Sequence, residues 1–265
     1  MENTFAPIER NRERTALVVI MVLTFVLAIL FSIAISLFQL KGLLSYVIQL
    51  GIYLILYLLA WWGLKQEQIT LPINARLMLE ALVWSLVGWL IFVLLIQWLG
   101  LTQVSEEFQT LMNTPAWMTG AQILSDWFFV GMGEEVLFRG YFLQAFRRHF
   151  TSGTDRRRTI VAILVVSAIF SLWHLPLRIS WLISGQLDLV MLLVSLLVVF
   201  LMGIGFAYLF VRSDNILLAG FVHGVVNLPL VGMNSQLSPI ILVVAIGCVE
   251  ISRLMTGRKV KAIQQ

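Results

Sequence analysis

Glu134, Glu135 and Arg139 stand in GMGEEVLFRG, residues 131 to 140, within a run otherwise apolar enough to cross a membrane. Two further polar pairs interrupt other apolar runs: Phe170 and His174 in FSLWH, and His223 and Asn227 in HGVVN. An ionisable side chain at the level of the lipid tails is costly. It must face the bundle interior or a water-filled cavity, which makes it a functional residue by default. Helical rise from the arginine-rich loop that follows places Glu134 roughly 20 Å above the cytoplasmic end of its helix. Snorkelling does not reach that far.

Spacing predicts how these groups are used. Glu135 and Arg139 are four positions apart, so they share a helix face and can pair. Glu134 lies about 100° away around the helix and is left to address something else. Gly131, Gly133 and Gly140 allow neighbouring backbones to approach closely. Phe170 shares a face with His174, and His223 with Asn227. His174 comes out roughly 24 Å along a helix starting near Arg158, close to the level of Glu134, whereas His223 sits lower, roughly 12 Å from a start at Asn215.

A carboxylate and an imidazole converging on one water can deprotonate it, while a second imidazole and a carboxamide donate to a developing oxyanion. That set is equipped for amide hydrolysis. Glu134, His174 and His223 could instead hold a tetrahedral zinc ion whose bound water is the nucleophile. Residue types leave both chemistries open. The blander reading is a structural ion pair with a spare acid, since buried polar groups also join helices.

The elements that position these residues are membrane helices. The chain has 265 residues, 60% hydrophobic and only 12% charged, against roughly 25% charged in a soluble domain. Apolar runs repeatedly exceed the roughly 20 residues that cross a bilayer as helix. The expected fold is an all-α polytopic bundle of eight spans, about 16–38, 43–64, 77–100, 119–146, 159–175, 189–211, 215–232 and 237–254. The first run reads as an uncleaved helix rather than a signal peptide.

The net charge of +4 does not point to nucleic acid, because the basic residues gather in short loops beside apolar runs. Placing both termini in the cytoplasm puts all of them inside except Lys41, Arg178 and the intramembrane Arg139. The loop from 101 to 118, with Glu106 and Glu107, then lies outside. One cysteine, Cys248, permits no internal disulfide. Glu80 and Glu250 lie near cytoplasmic helix ends and can snorkel. Asp126, two turns before Glu134, is either a packing residue or a pocket rim.

EEVLFR, FSLWH and HGVVN resemble the EExxxR, FxxxH and HxxxN motifs of the CAAX protease and bacteriocin-processing (Abi) family of intramembrane proteases, in particular its type II CAAX prenyl endopeptidases. The resemblance spans residues 134 to 227. It implies a catalytic core at about 119–232, preceded by a cytoplasmic segment (1–15) and accessory helices with the outer loop (16–118), and followed by a last helix and basic tail (233–265). It implies that Glu134 is the base, working with His174 on the water. Glu135 and Arg139 support it, and His223 and Asn227 form the oxyanion site. The preferred reading needs no metal; zinc on Glu134, His174 and His223 is the alternative.

The implied partners are the lipid bilayer and a membrane-associated protein or peptide substrate, prenylated or bacteriocin-like, in a bacterial plasma membrane. HExxH, GxSG and GxGD motifs of other intramembrane proteases are not found. Competing readings are a non-enzymatic immunity or scaffold protein, and a proton-coupled transporter.

Overall fold

The computed structural model describes residues 7–38, 43–101, 113, 115–150, 152–229 and 237–256. Among them every regular element is helical, as the apolar runs predict. Five helices are long and apolar enough to cross a membrane: Glu13–Ile35, Val47–Gln66, Ala75–Trp98, Asp155–Ile183 and Leu189–Ser213. Lys41, Glu106, Glu107 and the basic tail with Arg258, Lys259 and Lys261 lie outside the described residues. The chain divides into two compact units, one of residues 1–71 and 136–203, the other of 72–135 and 204–265.

The first unit contains α1 (Pro7–Phe38), α2 (Leu43–Gln66), a π-helical segment π2 (Val136–Phe142), α6 (Leu143–His149), α7 (Asp155–Trp173), α8 (Leu175–Ile183) and the start of α9 (Leu189–Ser213). Its core is aromatic: Phe138 meets Phe170 edge-on at 4.9 Å and lies 5.5 Å from Trp173. The Trp173 indole N–H donates to the Thr24 carbonyl at 3.0 Å. Gly63 is required where α2 meets Tyr141, because a Cβ there would lie 2.5 Å from the phenol ring. Thr154 caps α7 by accepting from the Arg157 N–H, and Asp155 in its first turn takes a bidentate bond from Arg147 at 2.7 and 2.8 Å. Pro176 lacks the N–H that would continue the ladder. The chain therefore breaks at His174, which stands between α7 and α8.

The second unit contains α3 (Ala75–Trp98), α4 (Ala116–Leu124), π1 (Ser125–Gly131), α5 (Met132–Glu135), the rest of α9, α10 (Ile216–Asn227) and α11 (Pro239–Thr256). Asn74 caps α3 through the Leu77 N–H. Asn215 caps α10 by accepting from the N–H groups of Leu217 and Leu218, and its amide donates to the Leu77 carbonyl at 2.9 Å. The α10 helix has 12 residues, about 18 Å of rise against a hydrocarbon core of about 30 Å. It is shorter than the span expected at 215–232, and its first turn is buried in protein.

Three glycines bring α10 against π1 and α5. A Cβ on Gly131 would lie 2.5 Å from the Gly224 nitrogen, one on Gly224 2.4 Å from Trp127 Cα, and one on Gly220 2.5 Å from Met132 Sδ. Gly220 and Gly224 are four apart in GFVHG. This is the small-residue spacing that lets membrane helices touch backbone to backbone.

Candidate active site

In the second unit the close seam holds two carboxylates against one imidazole. Glu134 and Glu135 occupy a single α-turn bounded by π1 and, along the chain, by π2. Segments of π-helix inside α-helices are frequent at functional sites. Glu134, Glu135 and His223 are all buried. The His223 Nδ1–H donates to Glu135 Oε1 at 2.8 Å, and its Nε2 lies 3.7 Å from Glu134 Oε2. Helical spacing separates the two glutamates by about 100°, and the sequence reading gave them different partners. Both nevertheless reach His223, because the two nitrogens of one ring point in widely divergent directions. Phe206 stacks on the imidazole at 4.4 Å and 20°.

A carboxylate can only accept, so the bond to Glu135 fixes a proton on His223 Nδ1. For Nε2 to donate as well, the ring must carry a proton on each nitrogen. Asn227 is the last residue of α10, one turn beyond His223, and is exposed. Beyond it, Trp127 Nε1–H donates to the Leu228 carbonyl at 3.1 Å and Trp89 Nε1–H to the Pro229 carbonyl at 2.7 Å.

The first unit carries Arg139 and His174. Arg139 is fully buried; its Nη2–H donates to the Gly203 carbonyl at 3.1 Å and its guanidinium lies over the Phe170 ring at 4.4 Å. The His174 Nδ1–H donates to the Phe170 carbonyl at 2.8 Å, which is the physical use of the four-residue spacing in FSLWH. That bond sets the tautomer: in the neutral ring the lone pair is on Nε2. Phe170 and Trp173 pack edge-on against the same imidazole at 4.7 and 5.0 Å.

Glu80 and Glu250 fall into structural roles. Glu80 accepts from Arg76 at 3.0 Å on the exposed face of α3. Glu250 accepts both guanidinium nitrogens of Arg212 and the Tyr208 hydroxyl. Asp126 is half-buried in π1. The sequence reading missed Glu67, which sits past α2 beside Lys65 and looks like an ordinary loop acid. It is buried, accepts from the Tyr141 hydroxyl at 3.4 Å and lies 3.5 Å from His149 Nε2. It also missed the Gly220–Gly224 spacing and the stacking partner Phe206. The first was legible as GxxxG in an apolar stretch; the second carried no signal.

A helical protein with membrane-length apolar helices and a buried pair of carboxylates on one imidazole defines a polytopic membrane protein with acid–base equipment in its interior. Residues 116–229 match the family model described as type II CAAX prenyl endopeptidase, Rce1-like. This is the group that the three motifs resemble, and Glu134, Glu135, Arg139, His174, His223 and Asn227 all fall within the matched stretch. No curated protein and no solved structure matches the chain.

Proposed function

We propose that the protein is an intramembrane endopeptidase that hydrolyses a peptide bond of a membrane-associated substrate, with both termini in the cytoplasm and the catalytic core at about 119–232. The observation that carries this reading is the buried Glu134–His223–Glu135 cluster inside the stretch that matches a prenyl endopeptidase family. Glu134 takes a proton from water, and the resulting hydroxide attacks the carbonyl carbon of the scissile bond. The resemblance of the motifs assigns His174 to the same water, and its own bond to Phe170 leaves the neutral ring's lone pair on Nε2 to accept a hydrogen bond. The carbonyl oxygen becomes an oxyanion that accepts from His223 Nε2–H and the Asn227 carboxamide. The proton held by Glu134 then passes to the leaving amine. Glu135 holds His223 by Nδ1, and Glu135 and Arg139 support the base from their own helix.

A zinc site on Glu134, His174 and His223 is the alternative chemistry. The Asn227 carboxamide suits an oxyanion better than a zinc ion. The donor set therefore favours the direct route. Purified protein in liposomes, given membrane-tethered peptides with and without prenyl groups, should release cleaved product identifiable by mass. Activity should survive exhaustive chelation. Loss on chelation with recovery on zinc addition would replace the direct mechanism with the metal one, and no cleavage of any tethered peptide would remove the protease reading.

A further inference from the structure

We propose that Trp89 and Trp127 are positioning residues for Asn227, pinning the carbonyls just beyond the end of α10 so that its carboxamide stays fixed over the site. The inference rests on the reading that Asn227 donates to the oxyanion. It starts from a conflict in the local sequence. Asn227 is the last helical residue, and the chain after it runs Leu228–Pro229. Proline has no N–H and its ring blocks a further turn, and the residue before it is pushed toward extended geometry. Leu228 takes φ −136° and ψ 86° accordingly, while its N–H still closes on the Gly224 carbonyl at 3.0 Å. The helix must end at Asn227, and helix ends fray.

A group that stabilises a transition-state charge has to be held in place before the charge develops, since reorganisation at that moment is what the site avoids. Asn227 is exposed, so packing alone does not hold it. The two indoles supply what packing does not. Trp89 reaches the Pro229 carbonyl from α3, and Trp127 reaches the Leu228 carbonyl from π1. The end of α10 is therefore tied to two different helices by rigid donors. Trp127 also packs its backbone against Gly224, and it stands seven residues before Glu134. One helical stretch thus carries both the proposed base and one of the ties that sets the height of the oxyanion donor.

Satisfying two carbonyls in a low-dielectric setting is useful to the fold by itself, so the test must separate positioning from stability. Turnover of a membrane-tethered peptide in liposomes would be measured for wild type, Trp89→Phe and Trp127→Phe, and for each change combined with Asn227→Ala. Phenylalanine keeps a planar aromatic ring and removes the N–H together with the five-membered part of the indole, a loss of packing that the Asn227→Ala background controls for. Each single change should lower kcat by about 3- to 10-fold, the scale of one lost hydrogen bond, with KM nearly constant. On the Asn227→Ala background the same changes should cost less than about 2-fold, because the group they position is gone. Wild-type kcat in both Phe variants, or an equal loss with and without Asn227, would overturn the proposal. A Phe variant that fails to fold would count against a pure positioning role for that tryptophan and leave the other to carry it. Glu134→Gln serves as the control: if it turns over like wild type the whole site reading fails, whereas its inactivity beside unaffected Trp variants sinks this inference alone.

Discussion

Replacing Gly224 with alanine drives a methyl group into the backbone of the glutamate-bearing segment. The new Cβ would lie 2.4 Å from Trp127 Cα and 3.0 Å from the Trp127 carbonyl oxygen, against about 3.5–4.0 Å for an unstrained carbon contact. Both neighbours are main-chain atoms, so no side-chain tip can swing aside. The two elements must part by roughly 1.5 Å to restore normal contact. His223 is the residue before Gly224. The 2.8 Å bond from its Nδ1 to Glu135 would then stretch toward about 4 Å, outside hydrogen-bonding range. Overpacking costs about 1–3 kcal/mol, and alanine's higher helix propensity returns about 1 kcal/mol, so the net loss of stability is modest. Geometry suffers more: a displacement of about 1 Å in a catalytic constellation costs about 100-fold in rate. Gly220→Ala is the milder companion, because two of the three nearest atoms its Cβ would meet belong to the flexible Met132 side chain. Thermal unfolding in detergent and peptide turnover in liposomes should show Gly224→Ala folded, shifted down by a few degrees and close to inactive, with Gly220→Ala in between. Wild-type turnover in Gly224→Ala, or a worse defect in Gly220→Ala, would refute the reasoning.

Glu135→Ala removes the acceptor from His223 Nδ1 and should lower turnover by about 100-fold together with folded yield, since a buried partner loses its mate; a stable and fully active variant would contradict the assigned contact. Asn215→Ala removes a cap that accepts two N–H groups and ties the start of α10 to Leu77, and should cost about 1–2 kcal/mol in a denaturation experiment, with an unchanged transition counting against it. Exhaustive chelation should leave peptide turnover intact, read as the ratio of rates before and after treatment.

The long apolar runs announced their helices because lipid leaves a spanning chain little other choice, and α1, α2, α3, α7 and α9 fall where hydropathy placed them. The sequence predicts one span over 119–146, whereas the structure has two π segments within it. An apolar stretch gives no sign of a change from 3.6 residues per turn, since every face of it is hydrophobic. Glu134 and Glu135 themselves lie in an ordinary α-turn, so the estimate of about 100° between them stands; what the sequence does not show is that one imidazole offers its two nitrogens to both. The sequence places His174 inside a span at 159–175, whereas the chain breaks at it, because Pro176 two residues on cannot continue the hydrogen-bond ladder. The four-residue spacing of Phe170 and His174 was legible, and the carbonyl bond that fixes the tautomer follows from it only once the backbone is helical. Glu67 and His149 could not be linked from the sequence, because 82 positions separate them and only the fold brings them within 3.5 Å.

The central claim is that Glu134 removes the proton from the attacking water, and the most direct measurement compares single-turnover cleavage of one membrane-tethered peptide by wild type and by Glu134→Gln at matched folded concentration. Glutamine keeps the shape and one acceptor oxygen but cannot take the proton. The account predicts a fall of at least about 10²-fold in the rate of bond cleavage with peptide binding retained. Equal rates in the two proteins would contradict it.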